Sequence, residues 1–123
     1  SLRRMIATWL SLAAFSLLLA VPVQATLGID AIDAISVSTF ECLKNAGYHF
    51  YVSRAWKSYG DYDNVGIQNI KNAHAGGMSK VDAYIFPCLK SSCAHAANQV
   101  EATINKLKAS GATIGTLWLD IET

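Results

Sequence analysis

The sequence predicts an α/β fold built on a parallel sheet. Four short segments rich in β-branched and aromatic residues, Leu27 to Asp30, Tyr48 to Arg54, Val81 to Phe86 and Gly115 to Asp120, alternate with three stretches of helical pattern. The strands read as mostly apolar without clean alternation, the pattern of strands covered on both faces. Strands and helices in strict alternation predict parallel strands joined by right-handed crossovers with helices outside. Two architectures satisfy this order: an open doubly wound sheet, or half of an eight-stranded (β/α) barrel, for which ~250 residues are typical.

Ahead of these elements, Arg3 and Arg4 precede an apolar run from Met5 to Val21. Pro22 breaks the run, and Val23-Gln24-Ala25 puts small residues at the two positions a signal peptidase inspects. Residues 1–25 therefore read as a secretory signal peptide. A membrane anchor is the weaker reading, because the run falls short of the ~20 apolar residues that span a bilayer, and Thr8 and Ser11 dilute it. The chain opens on Ser1, so Met5 is a candidate initiator. Removing residues 1–25 from the 123 leaves 98, and the loss of Arg3 and Arg4 takes the formal charge from +1 to −1. A near-neutral chain has no electrostatic footprint for nucleic acid, whose binding rests on many phosphate-neutralising Lys and Arg residues.

The helices follow in order. Ser38-Thr39-Phe40-Glu41 offers a capping box, with Gly47 as the stop. Asn64 or Asp63 can cap a second helix carrying Val65, Ile67, Ile70, Ala73 and His74 before Gly76-Gly77 ends it. A third runs from Ala94, with Ala97, Val100, Ile104, Leu107 and Lys108 at helical spacing, Glu101, Asn105 and Lys106 facing water, and Gly111 as the stop. The final strand ends the chain with no helix to cover it, which reads as a fold truncated after its fourth strand.

Three cysteines, Cys42, Cys88 and Cys93, are expected in an oxidising compartment, where pairing is the default. Cys88 and Cys93 are spaced to clip a loop, leaving Cys42 without a partner; buried free thiols are the alternative. His49, His74 and His95 do not fall at finger-like spacing from the cysteines, so no metal is expected. Nor is there a Gly-rich phosphate loop, since neither Gly28 nor Gly76-Gly77 carries the required pattern.

The chemistry lies at strand ends. Side chains two apart on a strand share a face, so Asp120 and Glu122 project together from the carboxyl end of the fourth strand, where a barrel carries its active site. Asp30 ends the first strand, so three carboxylates are expected to converge on one mouth. Like charges that close raise one pKa toward the range a general acid needs. The bland alternative is that these acids cap turns or bind backbone amides. Tyr84 at the end of the third strand adds an aromatic to the same rim. The segment Trp56 to Tyr62 reads as a loop on this side, its aromatics either lining the same rim or covering the core. Arg54, ending its strand, is expected either to pair with a site carboxylate or to stand as a surface charge.

The motifs G-I-D (Gly28 to Asp30), Y-x-F-Y-V-x-R (Tyr48 to Arg54), D-A-Y-I-F-P (Asp82 to Pro87) and L-W-L-D-I-E (Leu117 to Glu122) together resemble the N-terminal half of family 25 glycoside hydrolases, the lysozymes or muramidases, in their nematode and amoeba subgroup. The resemblance spans nearly all of the 98 residues. It implies the N-terminal half of a (β/α)8 barrel and cleavage of the β-1,4 bond between N-acetylmuramic acid and N-acetylglucosamine in peptidoglycan. It makes Glu122 the general acid, and Asp120 the group that orients the substrate's acetamido group or stabilises charge at the sugar carbon. Asp30 shapes the same electrostatic site, and Tyr84 lines the sugar subsite; Arg54 and Trp56, from their place at the end of the second strand, are expected to bind substrate beside it. Retention assisted by the sugar's own carbonyl fits this set, with Asp120 ionised and Glu122 carrying the proton.

No metal or organic cofactor is implied. The expected partner is bacterial peptidoglycan, met outside the cell, in a gut lumen or in a phagolysosome, in defence or digestion, by a monomer free of the membrane after leader removal. Chitinases of family 18 also end a fourth barrel strand with acids, but carry further aspartates where this sequence has Thr116 and Trp118. A secreted carbohydrate-binding effector without hydrolysis is the reading from another class. The family's later strands and a further acidic residue are absent from these 123 residues, so the activity is expected of the complete gene product and not of this stretch alone.

Overall fold

The computed structural model describes residues 25–122. The expected signal peptide lies outside them except for Ala25. Strand β1 (Leu27–Ala31) is followed by helix α1 (Val37–Asn45), strand β2 (Tyr48–Lys57) and the two-residue strand β3 (Asp61–Tyr62). Helix α2 (Asn64–Ala75), strand β4 (Lys80–Ile85), helix α3 (Ala96–Ser110) and strand β5 (Leu117–Leu119) complete the order. The sheet runs β1, β2, β4, β5, and every neighbouring pair is parallel. The order never reverses, whereas a doubly wound sheet reverses at its switch point.

All three helices cover one face of the sheet. Phe40 of α1, Ile67, Ile70 and Ala73 of α2, and Leu107 of α3 close a single apolar core over Tyr51, Ala55, Val81 and Ala83. The Phe40 and Tyr51 rings meet edge to face with centroids 4.9 Å apart, an arrangement favoured by the ring quadrupoles. The opposite face of the sheet carries no helix among the described residues. The strands therefore alternate after all: apolar toward the helices apart from Ser53, and mixed on the other side, where Asp30, Arg54, Asp82 and Tyr84 accompany Phe50, Val52 and Trp118.

The punctuation differs from the sequence reading in three places. Helix α1 is capped by Ser36, whose Oγ accepts from the Thr39 N–H at 3.1 Å, so the Ser38 to Glu41 box is not the cap. Helix α3 begins at Ala96 and buries Gln99, Thr103 and Leu107, while Ala97 and Lys108 are exposed. The segment after β2 is a hairpin: Trp56 and Lys57 pair antiparallel with Tyr62 and Asp61 across a turn at Gly60, whose φ of 87° suits glycine.

Cys88 and Cys93 form a disulfide, and Cys42 is a free, exposed cysteine. The alternative of buried free thiols is thereby corrected. The bridge supports the hairpin, because a Cβ on Gly60 would stand 3.3 Å from Cys93 Sγ. No described helix is long and apolar enough to cross a membrane.

Candidate active site

Strand register decides which side chains meet. Ile29, Tyr51, Ala83 and Leu117 pack toward the helices, so Asp30, Val52, Asp82, Tyr84 and Trp118, one position along, project from the open face. Arg54 pairs with Tyr84 across β2 and β4 and shares that face. Beyond β5 the ladder continues, with the Asp120 N–H donating to the Ile85 carbonyl at 2.9 Å, so Asp120 alternates back to the side of Trp118. Four parallel strands thus bring acids, an arginine and two aromatics to one surface.

The Tyr84 phenol registers this convergence. Burial raises its pKa above the ordinary tyrosine value, the charges of Asp30 and Asp120 raise it further, and Arg54 opposes them. Carboxylates from β1 and from the end of β5 therefore act on one hydroxyl of β4. Glu122 is exposed and lies beyond β5, next to Thr123, which is outside the described residues.

Arg54 takes a partner that the sequence reading treated only as a helix cap. Its Nε donates to Asp63 Oδ2 at 2.7 Å, and Asp63 is 2% exposed. The other oxygen of that carboxylate accepts from the Gly66 N–H at 3.1 Å and so caps α2. The arginine is anchored to the helix start, not to the strand-end acids. No spacing in the sequence signals an aspartate that caps a helix and also reaches an inner-face arginine.

Trp56 requires a correction. Simple alternation from Arg54 would return it to the open face, but the register shifts between Arg54 and Trp56 and pairs Trp56 with Ile85. The indole is 8% exposed, meets the Tyr62 ring edge to face at 5.1 Å, and donates its N–H to Gln99 Oε1 at 2.8 Å. It is core cover, and the exposed aromatic of that segment is Tyr59.

Two buried groups escaped the sequence reading. Asn69 accepts from the Ile35 N–H at 2.8 Å and donates to the Asp33 carbonyl at 2.7 Å, tying the loop after Asp30 to α2. Asp82, seen only as the first letter of a motif, accepts from the Thr116 N–H and from the Trp118 indole, each at 3.0 Å.

Carboxylates gathered at the carboxyl ends of parallel strands, beside a phenol and an indole, are the equipment with which a glycoside hydrolase works. A family model described as Lysozyme-like protein 1 matches residues 22–123. The chain belongs to this lysozyme-like family. It is 58% identical over 95 residues to Lysozyme-like protein 5 of Caenorhabditis elegans, covering 77% of this chain and 44% of that protein. It is 41% identical over 100 residues to Probable GH family 25 lysozyme 2 of Dictyostelium discoideum, covering 81% of this chain and 46% of that one. The chain thus spans less than half the length of these curated relatives. No solved structure matches.

Proposed function

We propose that the whole gene product is a secreted muramidase that hydrolyses the β-1,4 bond between N-acetylmuramic acid and N-acetylglucosamine in bacterial peptidoglycan, in defence or digestion. In this reading the sheet is the first half of an eight-stranded barrel, a continuation supported by the sequential strand order and the helices on one face. Glu122 delivers the proton to the glycosidic oxygen. Asp120 orients the acetamido group, whose carbonyl attacks the sugar carbon as the bond to the leaving oxygen breaks, and Asp30 adds negative charge beside the developing cation. Tyr84 lines the sugar subsite. Arg54, held by Asp63, borders that subsite, whereas Trp56 has no open ring face to offer.

The observation that carries the reading is the strand register, which puts Asp30, Tyr84 and Asp120 on one face at the carboxyl ends of parallel strands. The experiment is clearing of a bacterial cell-wall suspension by the whole gene product beside its Glu122→Gln variant. Clearing by the first and a loss of roughly 10²- to 10⁴-fold in the second are expected for removal of a general acid. Wall binding without clearing would turn the reading to a carbohydrate-binding effector.

A further inference from the structure

We propose that Asp82 is a positioning residue for this reaction: through Trp118 it sets the register of the strand that presents Asp120 and Glu122. For its catalytic consequence the inference rests on the muramidase reading, and for its structural part it does not. Asp82 is 3% exposed in the middle of β4, yet it neither faces the helices nor sits at the rim. Its two oxygens serve two points of the following strand. Oδ1 accepts from the Thr116 N–H and Oδ2 from the Trp118 indole N–H, both at 3.0 Å. Lys80 Nζ approaches Oδ2 at 3.6 Å, but that side chain is 62% exposed and so contributes a screened interaction.

The strand being held is a short edge strand, tied to the sheet on one side only. β5 pairs with β4 at Leu117, Trp118 and Leu119, flanked by backbone bonds from Gly115, to Thr116 and from Asp120, and with no strand on its outer side among the described residues Trp118 is 52% exposed and Leu119 56% exposed. A one-residue slip in such a ladder would move every side chain to the other face, sending Asp120 toward the helix side. The Asp82 carboxylate opposes that slip because only the native register brings both a backbone N–H and an indole N–H to it. Gly115 completes the fit: a Cβ there would stand 2.9 Å from Asp82 Oδ1, so the chain can close on the carboxylate only without a side chain at that point. Charge-assisted bonds to a buried carboxylate are stronger than neutral ones, and losing a donor leaves a buried carboxylate oxygen unmet. Asp82 touches no reacting atom in this scheme; it acts two residues away, on Trp118, and thereby on Asp120.

The test compares the whole gene product with Asp82→Asn, Trp118→Phe and the double variant. Each single change is expected to lower kcat for wall clearing roughly 10- to 100-fold, as a misplaced reactive group does, with KM kept within about threefold. The double variant should be no worse than the poorer single, because the two residues act as one unit. In two-dimensional amide spectra, Asp82→Asn should move the Trp118 indole N–H and the Thr116 and Asp120 amides and leave the Trp56 indole, bonded to Gln99, in place. Additive losses, a loss confined to KM, or an unmoved Trp118 indole would overturn the proposal. Should Asp82→Asn not fold, Trp118→Phe decides alone by the same split between kcat and KM. If the unaltered protein clears no walls, the muramidase reading falls, while the spectra still decide whether Asp82 holds Trp118.

Discussion

Tyr84 offers the most direct measurement of the site, because it titrates and its neighbours on three strands are charged. Burial is the largest cause of its raised pKa, and Asp30 and Asp120 add to the rise. The sign follows: the folded protein favours the neutral phenol, so this contribution to stability is complete below the unfolded value near 10.0 and is lost as pH rises through the higher folded value. In an ultraviolet titration, the step removed by Tyr84→Phe should lie above the ordinary tyrosine range. Asp120→Asn and Asp30→Asn should each lower it. A step that neither variant moves would mean that the strand-end acids do not share a face with the phenol. The shared face of Asp30, Tyr84 and Asp120 was legible, since each lies in the last part of a strand pattern and parallel strands align their carboxyl ends. Arg54's partner was not legible, because the pairing with Asp63 depends on where α2 starts in space.

At the scale of elements, the closest fit is α2 against β2. A Cβ on Gly66 would meet the Arg54 carbonyl oxygen at 1.8 Å, a backbone atom that cannot swing aside. Gly66→Ala should therefore cost about 1–3 kcal/mol or more, read as a lower denaturation midpoint at unchanged slope, and should also disturb the Asp63 cap that holds Arg54. An unchanged midpoint would show that the helix start can drift from β2. Glycine at a helix start carries no sequence signal of this kind, as it reads as a weak helix former.

The same limit explains the misplaced face of α3. Apolar periodicity pointed to Ala94, Ala97, Val100, Ile104, Leu107 and Lys108; Leu107 is buried, but the helix turns Gln99 and Thr103 inward with it. Gln99 is buried because it is fully used: Oε1 accepts from the Trp56 indole and the Cys88 N–H, and Nε2 donates to the Cys88 and Ala94 carbonyls. Hydrophobicity cannot find a buried residue whose reason for burial is hydrogen bonding. The four strands were legible because each is rich in β-branched and aromatic residues.

The whole molecule poses the question of what covers the sheet's far side. Among the described residues β5 borders only β4, and Leu119 and Ile121 stand exposed. A groove of about 410 Å³ lies between α3 and the segment after it, lined by Ile104, Leu107, Lys108, Gly111, Ala112, Thr113 and Ile114. β1 is the other edge, with Leu27 exposed. Unpaired strand edges flanked by apolar side chains are templates for association with other chains. Residues 26–123 expressed alone should accordingly self-associate, eluting as mixed oligomers with concentration-dependent light scattering and binding a hydrophobic dye, while the whole gene product should run as a monomer. Leu119→Lys with Ile121→Lys should reduce the association of the short segment, because both side chains leave β5 unprotected and neither enters the core. A monomeric, dye-silent segment would mean that the sheet meets its own edges in a way the strand register does not contain, and the half-barrel reading would lose its physical basis. Self-association abolished by the two lysines would locate the association at β5, the strand that Asp82 holds.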